Sequence, residues 1–256
     1  MRAGLYSLPT TTLASYCSAL FVVASGLGSI FIRPILRFWL RKQPGCNDLV
    51  THAYSGFGLL YGLLLGLLSV AVYQNLERIQ GYVGLEAANL ASVYRTVAGY
   101  PEPVRGDIQA LLRDYTLYVI HKDWPAQKNG RINPGGANRL SVIERRLAQF
   151  EPQTKSQEIL QEQAFTGLRD LRQARQSRVL GHWVAIPGVL WYVVLVGAVV
   201  NMVLCWLVDA RLRVQLLLGG IVSFFLGVVI FLVIAMDRPT RGEVSVSTDA
   251  YQTVYD

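Results

Sequence analysis

Residues 54–98 read YSGFGLLYGLLLGLLSVAVYQNLERIQGYVGLEAANLASVYRTVA, and this stretch decides the fold. Its first part, 54–73, carries no charge. At about 1.5 Å per residue it matches a hydrocarbon core of roughly 30 Å. Gly58, Gly62 and Gly66 recur every fourth residue, so they share one helical face and let another backbone come close. That face, flanked by Tyr54 and Tyr61, is a packing face or a pore wall. Beyond Tyr73 no helix breaker intervenes, and Leu76, Val83, Leu90 and Val97 follow seven apart with Ile79 and Val93 between them. This is the pattern of a helix seated against other helices. The expectation is one helix that spans a membrane and continues into a soluble domain.

Three more uncharged stretches have spanning length: 13–32, 187–208 and 216–236. With 52% apolar and only 16% charged residues in 256, the chain reads as an all-α integral membrane protein. A helical extramembrane domain, 74–186, is inserted between the second and third of four spans. The expected segments are an N-terminal hairpin (1–73), that domain, a C-terminal hairpin (187–236) and a polar, extended tail (237–256). The first apolar stretch is too long for a signal-peptide core and lacks a clear small-residue cleavage site, so it reads as a retained helix. It is expected to end at Arg33-Pro34, before a short interfacial helix with Phe38 and Trp39 at headgroup level.

In the inserted domain, Gly99 and the turn 100–103 close the first helix. Val104, Ile108, Leu111, Leu112, Tyr115 and Val119 mark a second helix, expected to stop before Trp124-Pro125. A loop over 128–138 precedes a short third helix carrying Leu140, Ile143, Leu147 and Phe150. Thr154 with Gln157 forms a capping box that opens a fourth helix, running to about Arg178. An even number of spans puts both termini and the domain on one membrane face, but arginines flank both ends of the spans, so the charge bias assigns no side.

The formal net charge of +7 sits beside spans or alternates with acids on helices. With no basic run interleaved with aromatics, it points to lipid headgroups rather than nucleic acid. Cys17, Cys46 and Cys205 have neither disulfide-scaffold nor metal-ligand spacing. His52 and His182 lie on opposite sides of the second and third spans, and His121 has no acid or cysteine at ligand spacing, so no metal, haem or other cofactor is expected. No triad, phosphate loop or zinc motif is present, and no enzyme activity is expected. Asn201, four residues after Gly197, is the most polar deep position, suited to an interhelical hydrogen bond. Gly219, Ser223 and Gly227 repeat the small-residue spacing in the fourth span. Glu86 occupies a heptad position that the register would fill with an apolar residue. It pairs with Arg95, or with an arginine of another helix, or faces a wet axial cavity.

Several short blocks resemble the Bestrophin-like domain family of bacterial membrane proteins. They are Glu86-Ala87 with Tyr94-Arg95, Pro101-Glu102-Pro103, Trp124-Pro125, and above all Asp237-Arg238-Pro239 through Gly242 to Ser245 and Ser247. The chain departs from the family pattern at Tyr73-Gln74-Asn75, where members commonly carry an aromatic and an acidic residue. The resemblance implies similarity to bestrophins, which are pentameric anion channels with four spans per subunit, a helical cytosolic region and a pore lined by the second span. The expected function is therefore a homo-oligomeric ion channel for small anions in a bacterial plasma membrane, with the second span on the axis. The alternative is a nonconducting scaffold or sensor whose helical domain binds a partner.

Overall fold

The structure, a computed structural model, describes residues 10–40, 46–181, 186–237 and 246–255. Among the described residues it is all-helical: α1 (Thr10–Leu40), α2 (Cys46–Val97), α3 (Val104–Tyr118), a π-helical turn (Val119–Asp123), α4 (Trp124–Lys128), α5 (Gly135–Ala148), α6 (Lys155–Gly181), α7 (Gly188–Leu207), α8 (Leu212–Met236) and α9 (Asp249–Tyr255). Four helices, α1, α2, α7 and α8, are long and apolar enough to cross a membrane. The described chain forms two compact units. One holds residues 10–40, 46–74 and 186–237, and the other holds 75–181 and 246–255.

In the membrane unit, small residues set the helix spacing. A Cβ on Gly227 of α8 would lie 2.7 Å from the Ser18 Cα, so α8 meets the α1 backbone directly there. Gly28 of α1 lies against the Trp206 ring, and the Trp206 Nε1–H donates to the Ser25 carbonyl at 3.1 Å. Gly197 of α7 makes room for the Tyr61 ring, whose hydroxyl donates to the Val194 carbonyl at 2.8 Å. Around these contacts Leu65, Leu68, Val72, Ala198, Leu226, Ile230 and Val233 form the unit's core.

The first helix does not end at Arg33-Pro34. It runs through Pro34 to Leu40. The proline removes one backbone donor, and in this turn Arg33 donates to the Ala210 carbonyl, tying the helix to the loop before α8. At the other end of the unit, the Asp237 carboxylate accepts the Ile186 N–H at 2.8 Å.

The extramembrane unit is built on the second half of α2, whose Leu76, Ile79, Val83, Ala87, Leu90, Val93 and Val97 are all buried. These positions are three and four apart, so they form one stripe. Ile108, Leu112 and Tyr115 of α3, Leu140, Ile143 and Leu147 of α5, and Ala164, Leu168 and Leu171 of α6 close the core around it. At the start of α6 the Thr154 hydroxyl accepts the Gln157 N–H at 3.3 Å, and the Gln157 side chain accepts the Gln153 N–H at 2.7 Å. This is a capping box displaced by one residue on its return arm.

Three expectations are corrected in this unit. The second helix does not stop before Trp124-Pro125 but passes through the π turn into α4. Pro125 has no N–H to donate to an α-helical acceptor, and the Trp124 N–H reaches back five residues to the Val119 carbonyl, which widens the turn by one residue. Gly135 and Gly136 begin α5 rather than lying in a loop. The tail is not extended to its end. Val246 and Tyr251 are core residues, and 249–255 are helical.

Candidate functional site

Two places gather the residues singled out by sequence. The first is the free face of α2 in the membrane unit. Its packed face, Tyr61, Leu65, Leu68 and Val72, is buried. Turned from it by helical geometry, Gly58, Gly62 and Gly66 have no atom within 4 Å of where a Cβ would stand. The glycine row therefore does not serve packing inside the subunit. Nearby hydroxyls, those of Thr51, Ser55 and Ser69, donate to carbonyls of their own helix. Tyr54 is half-buried beside the Cys205 thiol. The other small-residue row behaves differently: Gly219, Ser223 and Gly227 of α8 are buried, and so is Asn201 of α7.

The second place is a charge cluster in the extramembrane core. Glu86, fully buried on α2, accepts three hydrogen bonds: from the Tyr115 hydroxyl at 2.6 Å, from Arg178 Nε at 2.7 Å and from Arg178 Nη2 at 3.3 Å. Arg178 also donates to Gln127 Oε1 at 2.7 Å and to Asp123 Oδ2 at 3.4 Å, and its guanidinium lies 5.6 Å from the Trp124 ring centroid. Asp123 is shared with Arg175, whose Nη2 approaches at 3.2 Å. Two carboxylates and two guanidiniums thus balance, which is the condition for holding charge at this depth. The π turn and α4 place Asp123, Trp124 and Gln127 on this inward side, all three buried.

Burial raises the Tyr115 hydroxyl well above its ordinary 10.0, and the Glu86 carboxylate adds to that. Tyr251 on α9, whose ring meets Trp124 edge-on at 6.4 Å, is raised in the same way, with Arg178 opposing. For Arg178 itself burial disfavours the charge, but the Glu86 carboxylate overrides it and holds the guanidinium protonated.

Of the alternatives open for Glu86, the structure selects an arginine of another helix. Arg95 is exposed and is not that partner. Tyr94 accepts from Arg113 Nη2 at 2.8 Å. Trp124 joins the charge cluster while Pro125 is exposed behind it, and Pro101 and Pro103 lie exposed in the turn before α3. Ser247 accepts the Asp249 N–H at 3.4 Å. Arg238, Pro239, Gly242 and Ser245 lie outside the described residues, as does His182. Asp123, Gln127, Arg175, Arg178 and Tyr251 were not singled out from sequence. A signal existed for the arginines: Ala164, Leu168 and Leu171 set a three-four register on α6, and Arg175 and Arg178 continue it. Among the described residues no group of three or more His, Cys, Asp and Glu could hold a metal ion.

Four membrane-length helices with a helical unit between the second and third define a class of membrane protein. The model of the family described as Bestrophin-like domain matches residues 19–251. The chain belongs to that family. No curated protein and no solved structure matches the chain.

Proposed function

We propose that this membrane protein is a homo-oligomeric ion channel for small anions, set in a bacterial plasma membrane, with α2 of each subunit facing the axis. One observation carries the reading. The glycine row of α2 has a close-approach surface and nothing in its own subunit to approach. A face without side chains next to a packed face fits a helix whose second neighbour is another copy, or a water-filled axis. Family membership supports the same direction, because the family takes its description from bestrophins. The protein acts without a cofactor and without catalysing a reaction.

The alternative, a nonconducting scaffold or sensor, is favoured by the apolar character of the rest of that surface, where Leu59, Leu63, Leu67 and Val70 are exposed. Purified protein in planar bilayers separates the two. A channel shows unitary currents carried by chloride, and its mass in detergent is a multiple of 28.4 kDa. A silent bilayer with intact oligomer supports the scaffold.

A further inference from the structure

The α5 and α6 helices of the extramembrane unit enclose a cleft of about 250 Å³. Its walls divide by chemistry. Val179 and Leu180 supply an apolar side, with the core residue Leu140 beneath them, while Arg172, Arg175 and Ser141 supply a polar one. Among the described residues no carboxylate lines it. Arg175 is 92% buried by its 8% exposure, so its charge is held in the wall rather than waving in solvent. Its Nη2 is committed to Asp123 and to the Asn133 carbonyl, its Nε is buried without a partner, and its Nη1 makes no hydrogen bond to any of the described residues. A side chain at Gly136 would collide with this guanidinium, at 2.7 Å from both Nε and Nη2, so the absence of a Cβ is what lets Arg175 occupy the wall.

Two further features bear on how the site would take an anion. The first turn of α5, which contributes Ala137 to the cleft, carries no acidic residue. Arg172 at the rim is held only by an ion pair with Glu144, both side chains being 46% exposed. Such exposed pairs contribute little, so Arg172 can turn to a ligand at small cost.

We infer that this cleft binds a small amphiphilic anion, with its acidic head on Arg175 and Arg172 and a short aliphatic body against Val179 and Leu180. A buried arginine with an uncommitted donor recognises a carboxylate or phosphate oxygen. The volume, below the usual range for drug-sized ligands, admits a short chain only. The Arg175–Asp123 bond stays in place, since Nη1 takes the ligand. This site is independent of whether the protein conducts ions.

The test is calorimetric titration of the full chain in detergent with hexanoate and with hexyl phosphate, alongside hexanol and inorganic phosphate. Saturable binding of one hexanoate or hexyl phosphate per chain is expected, at least tenfold tighter than hexanol. The two charged probes distinguish a carboxylate head from a phosphate head. Ser141→Leu, which fills the cleft without touching Asp123 or Arg178, should weaken binding at least tenfold, and Arg172→Gln several-fold. Should Ser141→Leu melt early, Gln176→Trp on the exposed rim fills the same space. No saturation, equal binding of hexanol, equal binding of inorganic phosphate, or undiminished binding to a folded cleft-filled variant overturns the proposal.

Discussion

Glu86 and Arg178 show how one residue pair commits a fold. Each is buried, and removing one leaves the other as an uncompensated charge, an effect of about 3–5 kcal/mol. Arg178→Met should therefore destabilise the extramembrane unit by about that amount, read as faster amide exchange over 75–97. Pairing it with Glu86→Leu should recover part of the loss, because the remaining groups then bury less unbalanced charge. Arg95→Ala, at an exposed position, should stay within about 0.5 kcal/mol of the parent.

The tyrosines of the cluster give a pH dependence with a definite sign. Tyr115 and Tyr251 are raised above 10.0 in the fold, so folding favours the neutral phenol. Their contribution is complete below pH 10 and is lost as pH rises through the folded values. In an alkaline titration, the share of tyrosinate absorbance that Tyr115→Phe and Tyr251→Phe remove should appear together with loss of the extramembrane fold. Independent ionisation at pH 10 in a folded protein would contradict the burial. Tyr115→Phe, which removes the 2.6 Å hydrogen bond to Glu86, should cost about 1–3 kcal/mol at neutral pH.

Among elements, the two glycine rows divide by what they touch. Gly227→Ala forces a Cβ onto the α1 backbone, and overpacking of that kind costs about 1–3 kcal/mol. Gly62→Ala meets nothing in the subunit. The first should lower the melting temperature of detergent-solubilised protein. The second should leave the subunit's stability unchanged and alter only the oligomer or its conductance.

Much of this was legible beforehand because spans and amphipathic helices repeat their signal over many turns: α2 announces itself from Tyr54 to Val97. The π turn was not legible, because it depends on the Trp124 N–H taking the Val119 carbonyl beside Pro125, which has no N–H to donate. Nor was α9, since its buried anchor Tyr251, with Val246 in the segment before it, spans too few residues to show a period. In the charge cluster, Glu86 was visible as a charge in an apolar register. Its partner is harder to pick out, since Arg169, Arg172, Arg175 and Arg178 recur every three residues and only the three-four register of Ala164, Leu168 and Leu171, which Arg175 and Arg178 continue, separates the buried ones.

Across the whole molecule, the membrane unit supplies a free glycine face and the extramembrane unit supplies a core held by balanced buried charge. In the proposed channel the free face lines an ion path formed between copies. It is tested most directly by Gly62→Cys, in a protein whose Cys17, Cys46 and Cys205 are replaced by serine or alanine, reconstituted in a planar bilayer and treated with a charged, water-soluble thiol reagent. A rapid change in chloride current on addition is the predicted result, because a residue on the axis meets water. Robust current that the reagent leaves untouched, with Gly62→Cys modified only by a lipid-soluble reagent, would place the face in lipid or in a dry contact and contradict it.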